Sequence, residues 1–186
     1  MKVTKTLVID TASQIADEKG LHNVSLKIIA EELNIKTPSL YNHIDNLDNL
    51  LLEVAHKGMR TMNERLERVA IGKAGDAAIK AVGIEYLNFM IEHPGIYETI
   101  QWATWNGSAE TTDIFEHYTL LLKTLILSCQ LQEDCVDEIL SILTGILHGY
   151  TTLQLRFAFD NPEQVRSNLS NALDTILLGI YQKYKR

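Results

Sequence analysis

Proline, glycine, cysteine and long apolar runs are all scarce in this chain of 186 residues, and each scarcity excludes a class of protein. Three prolines and ten glycines disfavour an all-β chain, which needs many turns. Two cysteines, Cys129 and Cys135, are too few for a disulfide framework or a four-thiolate zinc site. The longest uncharged stretch, from Ile139 to Leu155, contains six Ser, Thr, His or Gln residues, which predicts a buried helix and not a membrane span.

The chain carries 17 basic and 24 acidic residues, a net charge of −7. This balance argues against a protein that coats nucleic acid indiscriminately, but it does not exclude a local DNA-binding surface. The first twenty residues carry acidic groups in a helical pattern, which is unlike a signal peptide. We therefore expect a soluble, cytoplasmic protein with no membrane partner.

No motif in the sequence predicts catalysis. Glycine-rich phosphate loops and Gly-x-Ser-x-Gly elbows are absent, and the six histidines lack metal-ligand spacing. Glu53 and His56 have the Glu-x-x-His spacing of di-metal helical bundles, but that chemistry needs two copies. A solvated helix face explains the pair better. We predict no enzyme, no cofactor, no catalytic residue and no metal site.

Apolar periodicity predicts an all-α fold of about nine helices with no convincing strand. Each of the three prolines, Pro38, Pro94 and Pro162, stands where a helix begins, because the first helical position needs no N–H partner. Gly20 ends the first helix with a positive φ. The expected helices cover residues 10–19, 26–33, 37–44, 47–69, 76–92, 96–105, 110–131, 133–159 and 162–184.

The segment from Ser25 to Ile44 predicts two short helices joined by a sharp turn. Ser25 caps the first helix, Asn34 tolerates the positive φ of the turn, and Thr37 caps the second helix. Leu40 and Ile44 then point into the core. The outward face consists of Lys36, Thr37, Ser39, Asn42 and His43.

Short polar side chains on this outward face can approach base edges, while Tyr41 and His43 can reach phosphates. The alternative is a helical hairpin whose exposed face is simply solvated.

The run IAEELNIKTPSLYNHIDNLDNLL, from Ile29 to Leu51, resembles the helix-turn-helix of the TetR family of bacterial transcriptional repressors, written IA…LGV…PTLYxHFxxKxxLL. The match covers roughly residues 5 to 55. Two positions depart from the family pattern: Asn34 replaces the usual glycine, and Leu47 replaces the usual lysine, with Asp45 and Asp48 beside it.

The resemblance implies a role for each residue of this motif. It implies that Lys27, Tyr41 and His43 touch phosphates and that Thr37, Pro38, Ser39 and Asn42 face bases in the major groove. The N–H groups that open the Leu47 helix would meet another phosphate. With Lys36, these side chains form the expected interface with a double-stranded DNA operator. Residues 1–47 contain five lysines against six acidic residues, which predicts weak non-specific binding.

The last two helices are apolar over much of their circumference, which predicts that they are covered on two sides. One stripe of the 133–159 helix comprises Ile139, Leu143, Ile146, Tyr150, Leu153 and Phe157. The final helix offers Val165, Leu169, Ala172, Leu173, Ile176, Ile180 and Tyr184. Two such helices from each subunit would form a four-helix homodimer interface, and a monomeric core is the alternative.

Aromatic residues concentrate between positions 86 and 118, where they could line an apolar effector pocket. The candidate ligand-binding residues are Phe89, Met90, Tyr97, Trp102, Trp105, Phe115, Tyr118 and His148. Ordinary core packing is the alternative for each of them. The segments His93–Tyr97 and Leu147-His148-Gly149 resemble the TetR C-terminal class with a Trp-His-Gly signature, although Thr144 stands at the tryptophan position.

We expect a DNA-binding domain at residues 1–47 and a ligand-binding and dimerisation domain at residues 48–186. The expected function is a transcriptional regulator, a repressor that a small apolar molecule releases from its operator by a population shift. The alternative is a helical ligand-binding or adaptor protein that retains the fold without reading DNA.

Overall fold

The computed structural model describes residues 2–157 and 161–184, apart from the side chains of residues 157 and 162, and the described part is all-α. The eight α-helices are α1 (Lys5–Lys19), α2 (Leu26–Glu32), α3 (Leu47–Ala70), α4 (Gly75–Glu92), α5 (Pro94–Asn106), α6 (Ala109–Leu127), α7 (Val136–Phe157) and α8 (Pro162–Tyr184). Three 3₁₀-helices cover Leu21–Asn23, Thr37–Asn42 and Glu133–Cys135. With Thr37–Asn42 counted as the third helix, the described ranges contain the nine predicted helices and no β-strand.

Most predicted helix ends are confirmed by the backbone. Gly20 follows α1 at φ 83°, as predicted, whereas the start of α1 at Lys5 and its side-chain cap, Thr4, were not predicted. Ser25 accepts the N–H of Ile28 at 3.3 Å and so caps α2. Gly72 and Gly75 both have positive φ in the break before α4. The short apolar segment after Pro94 is α5, so its β-branched residues form a helix, as predicted.

Two predicted boundaries are wrong. Helix α6 ends at Leu127, four residues before the predicted end, because Gln130 adopts a left-handed φ of 57° that a helix cannot contain. The next helix begins as a 3₁₀ turn at Glu133 and becomes α-helical only at Val136. Its predicted end, Phe159, lies outside the described residues.

Contacts divide the chain into two compact units. The first unit consists of Met1–Thr61 and His93–Phe115, and the second of Met62–Glu92 and Glu116–Arg186. Helix α5 therefore belongs to the same unit as the predicted DNA-binding segment. These contact-based units differ from the two expected functional domains, residues 1–47 and 48–186. That division into a DNA-binding domain and a ligand-binding and dimerisation domain stays a prediction.

Within the first unit, α5 crosses α1 at very close range. A Cβ atom at Gly95 would lie 2.0 Å from the carbonyl carbon and oxygen of Ala16, so only glycine fits there. The Asp17 carboxylate accepts the backbone N–H of Ile96 at 2.9 Å and lies 2.9 Å from Nδ1 of His93. Asp17 thereby caps the first turn of α5.

Within the second unit, α4, α7 and α8 pack through apolar stripes. The buried stripe of α7 is Ile139, Leu143, Leu147 and Thr151, at a spacing of four residues. On the predicted stripe, Ile146 and Leu153 retain exposure in the single chain, Leu153 at 42%, and their burial in a homodimer stays a prediction. Tyr150 is also only half-buried, and the side chain of residue 157 lies outside the described part.

The predicted stripe of α8 is largely confirmed. Val165, Leu169, Leu173, Ile180 and Tyr184 are buried, together with Leu177, which the prediction omitted. Ala172 and Ile176 are half-buried. No helix in the described ranges is long and apolar enough to cross a membrane.

Candidate functional site

We call the Thr37–Asn42 helix the recognition segment. The turn that joins α2 to it is formed by three backbone features. Asn34 has φ 52°, and its N–H donates to the carbonyl of Glu31 at 3.1 Å. The N–H of Ile35 reaches back to the carbonyl of Ala30 at 2.9 Å. These two bonds form a Schellman motif, in which asparagine replaces the more usual glycine. The predicted role of Asn34 is confirmed.

The recognition segment is a 3₁₀-helix and not an α-helix. Its cap is Lys36, which has extended backbone and makes no side-chain cap bond. The prediction that Thr37 is the cap is therefore wrong: Thr37 is already the first helical residue, with Pro38 in the same turn. Side chains three apart eclipse in a 3₁₀-helix, so Pro38 and Tyr41 share one edge.

The anchors of this segment are buried, as predicted. Leu40 is fully buried and Ile44 nearly so. Around them, Lys27, Lys36, Pro38, Tyr41 and Asn42 are exposed, whereas Thr37, Ser39 and His43 are half-buried. Tyr41 leaves 57% of its surface in contact with solvent. All eight predicted DNA-binding residues belong to the first unit, and each retains at least part of its surface in contact with solvent.

Few cationic side chains surround the recognition segment. Lys5 is held by Glu53 at 2.6 Å, and Lys27 lies 3.9 Å from Glu31. Lys36 has no ion pair within the part of the chain that the structure describes. The Glu53 bond raises the pKa of Lys5, since it favours the charged ammonium. Only a few cations are thus available for phosphates.

The start of α3 supplies backbone donors on the same surface. Asn46 caps the helix by accepting the N–H of Asn49 at 2.8 Å, and Asp45 accepts from the Asn49 side chain at 3.3 Å. The helix dipole is positive at this end, which favours a nearby anion.

The Glu53 and His56 pair is structural. His56 is 97% buried, and its Nε2 lies 2.8 Å from Oγ1 of Thr111. Burial lowers the pKa of His56, so the neutral ring is favoured. The prediction of a solvated helix face is wrong for His56, because this side chain joins α3 to α6 within the first unit. No group of three or more His, Cys, Asp or Glu residues in the described ranges could hold a metal ion.

The eight predicted ligand-binding residues fall into two groups. Phe89, Met90, Tyr118 and His148 belong to the second unit, and Tyr97, Trp102, Trp105 and Phe115 to the first. Phe89, Met90, Tyr97 and Tyr118 are buried, whereas Trp102 and His148 are half-buried. Trp105 is 88% exposed, so in a single chain it does not line a buried pocket. It lines an open depression of about 300 Å³ with Phe115.

Two polar positions of structural importance were not predicted from the sequence. Asp17 and Thr151 lie among ordinary helical residues and carry no motif. The i, i+4 register of Leu143, Leu147 and Thr151 is a signal that could have placed Thr151 in the core. No local signal distinguishes Asp17, whose partners are more than seventy residues away.

Two family models match the chain. One is described as bacterial regulatory proteins of the tetR family and covers residues 8–54; the other, a tetracyclin repressor-like C-terminal domain, covers residues 79–176. The helix-turn-helix-type transcriptional regulator YobS of Bacillus subtilis is 30% identical over 178 residues, covering 96% of this chain and 93% of YobS. A second such regulator, Rv0681 of Mycobacterium tuberculosis, is 30% identical over 52% of this chain and 44% of its own length.

Solved structures share the fold at low sequence identity. A protein of unknown function from Rhodococcus superposes with a TM-score of 0.85 at 17% identity, covering 97% of this chain and 96% of that one. A TetR variant of Acinetobacter baumannii in complex with minocycline gives 0.72 at 17% identity, with both chains covered completely. A regulator from Saccharomonospora viridis in complex with choline gives 0.71 at 15%, covering 91% of this chain and 95% of its own.

The matched models span both the helix-turn-helix and the C-terminal helices, and YobS aligns along nearly the whole chain. Two of these neighbours were solved in complex with a small molecule, minocycline in one and choline in the other. This chain belongs to the TetR family and is a DNA-binding transcriptional regulator with a helix-turn-helix, not an enzyme.

Proposed function

We propose that this regulator is a repressor that leaves its operator when a small apolar molecule binds its C-terminal helices. The observation that carries the proposal is the recognition segment, whose Leu40 anchor is fully buried while Tyr41 and Asn42 beside it are exposed. A short helix whose inner face is anchored in the core and whose outer face is exposed can enter a major groove without distortion of that core.

The residue roles follow from this exposure. Pro38 and Asn42 are exposed and Thr37 and Ser39 half-buried, and we assign these four to base edges. We assign Lys27, Lys36, Tyr41 and His43 to phosphates, together with the backbone N–H groups at the start of α3. Because few lysines are available, we expect a shallow dependence of affinity on salt.

We propose that the protein acts as a homodimer through α7 and α8. Gly145, Gly149 and Gly179 have open space where a Cβ atom would stand, and half-exposed Ile146 and Ile176 lie on the same two helices. A second copy that covered these faces would bury them by two-fold symmetry. The two recognition segments would then read half-sites about 34 Å apart.

We assign the effector site to the second unit, where Phe89, Met90, Tyr118 and His148 lie. Helices α3 and α6 each contribute residues to both units. A ligand that favours one arrangement of these shared helices would shift the population of DNA-competent dimers. Under this proposal residues 1–47 bind DNA, residues 48–186 sense and dimerise, the C-terminal domain is of the Trp-His-Gly class, and the protein works in the cytoplasm.

Selection of bound sequences from a random DNA pool tests the proposal. We expect an inverted repeat with half-sites about one helical turn apart. Tyr41→Ala should weaken binding to the selected DNA at least about tenfold, because it removes a phosphate contact and its ring area. Ile71→Ala, at an exposed position in the turn after α3, is the control and should bind normally.

Unchanged DNA affinity in Tyr41→Ala would contradict the assigned interface, and selected sequences without symmetry would contradict the dimer. Release by an effector is tested separately, by titrating candidate molecules into the protein–DNA complex and following fluorescence anisotropy.

A further inference from the structure

The second unit contains a buried polar cluster among its apolar helices. The Tyr86 hydroxyl lies 3.3 Å from Nδ1 of His148, and the ring of Tyr86 stacks on that of Tyr118 with centroids 6.1 Å apart. Thr151 follows His148 by three residues on α7, so the two side chains lie one turn apart. Here we call Tyr86, Tyr118, His148 and Thr151 the polar cluster.

Thr151 is the member of the polar cluster that packing does not explain. It is fully buried, and its Oγ1 has no hydrogen-bond partner in the described part of the chain. Other helical threonines donate to the carbonyl four residues before: Thr99 to Gly95 at 2.7 Å and Thr175 to Asn171 at 2.8 Å. A buried hydroxyl without a partner is rare in native proteins and requires an explanation, and a bound molecule that supplies the missing partner is one such explanation.

The fully buried residues around the polar cluster carry no charge. Among the residues that the structure describes, no Lys, Arg, Asp or Glu is buried. Burial lowers the pKa of His148, which favours its neutral form near pH 7, and raises the pKa of Tyr118. A charged group brought into this interior would meet only counter-charges that are already paired, such as Arg65 with Glu85, and its desolvation would oppose binding.

The faces of the aromatic rings in this region already contact other side chains. The Arg65 guanidinium lies 5.4 Å from the ring centroid of Phe89, and it is itself paired with Glu85 and Glu92 at 2.5 and 2.7 Å. The rings of Tyr86 and Tyr118 stack on each other. This arrangement disfavours capture of an organic cation by aromatic rings.

We propose that the effector of this regulator is an uncharged apolar molecule with one oxygen-based hydrogen-bonding group, bound by Oγ1 of Thr151 and the ring of His148. The inference rests on the proposed effector site in the second unit. It adds the charge of the ligand and the residues that hold its polar group.

Three probes of equal size and different charge test the ligand class: naphthalen-2-ylmethanol, 2-naphthoate and naphthalen-2-ylmethylamine. Calorimetric titration of the full chain at pH 7.5, without DNA, should show the alcohol binding at least about tenfold more tightly than either ion. Binding of an ion as tight as that of the alcohol would overturn the proposal. Absence of measurable alcohol binding would also overturn it.

Two variants at one position test the role of Thr151. Thr151→Val removes the hydroxyl at constant shape, and we expect it to raise the melting temperature without probe and to weaken alcohol binding about tenfold. Thr151→Ser keeps a hydroxyl and should bind the alcohol within about twofold of the parent. Equal alcohol affinity in the parent and the valine variant would contradict the assignment.

These titrations contain no DNA, so their failure is distinct from failure of the proposed repressor function. A parent protein that bound the alcohol yet selected no DNA would contradict only the operator proposal. A parent protein that selected a symmetric operator but bound none of the probes would contradict only the ligand class.

Discussion

The two units of this regulator are stabilised in different ways. The first unit depends on close backbone contact and single polar bonds between distant segments, as at Gly95 against Ala16 and Asp17 on Ile96. The second unit depends on long apolar stripes, such as Leu169, Leu173 and Leu177 along α8. Specific polar contacts fix one geometry, whereas a continuous apolar stripe also tolerates small shifts of packed helices. This contrast suits the proposed roles of the first unit in reading DNA and of the second unit in sensing a ligand.

Truncation of the apolar stripe should produce the largest effect. Leu173 is nearly fully buried on α8, and Leu173→Ala should lower the free energy of unfolding by about 3 kcal/mol through lost burial and a residual cavity. Guanidinium denaturation measures this change. Ile71→Ala, in the turn after α3, is the control, because Ile71 is 76% exposed and should change stability by less than about 0.5 kcal/mol. Equal losses in both variants would contradict the assigned stripe.

A larger side chain at the α1–α5 crossing should produce the second-largest loss of stability. The Cβ of Gly95→Ala would strike the backbone of Ala16, which cannot rotate away, and we expect a loss of about 2 kcal/mol in denaturant unfolding. Glu18→Ala, at an exposed position of α1, is the control and should change stability by less than about 0.5 kcal/mol. A neutral Gly95→Ala would show that the crossing is loose.

Loss of the α5 cap should have a smaller effect. Asp17→Ala removes the acceptor of the Ile96 N–H and should cost about 1 kcal/mol in unfolding free energy. Asp17→Asn keeps an acceptor oxygen and should recover most of the loss. If both variants lost the same amount, the negative charge and not the cap would be responsible.

The smallest effect concerns pH. Burial holds the pKa of His56 below its usual value of 6.5, so the unfolded chain binds a proton before the folded one does. Stability should therefore fall as the pH drops below about 6.5 and until it passes the lowered folded-state pKa. His56→Gln should flatten this slope in melting temperatures measured between pH 7.5 and 5.5.

The outline of the candidate DNA site could be predicted because its signals are local. Asn34 at the turn, Ser25 at the cap and buried Leu40 all depend on neighbours within a few residues. The type of the recognition helix was not predictable in this way. Thr37 has the chemistry of a cap, yet the cap is Lys36, because Pro38 and the turn before it bring Thr37 into helical geometry.

The aromatic residues show why the candidate ligand site was harder to predict. Phe89 and Trp105 are both large and apolar, but one is buried and the other almost fully exposed. Periodicity gives the face of a helix on which a residue lies, and it does not give what covers that face.

The sequence by itself determined the helices, their main breaks and the helix-turn-helix, because capping, proline placement and apolar spacing act over a few residues. Only the tertiary structure decided that α5 joins the DNA-binding unit, that His56 is buried against Thr111, and that Thr151 has a buried hydroxyl. Each of these facts depends on segments far apart in the chain meeting in space, and no local pattern carries that information.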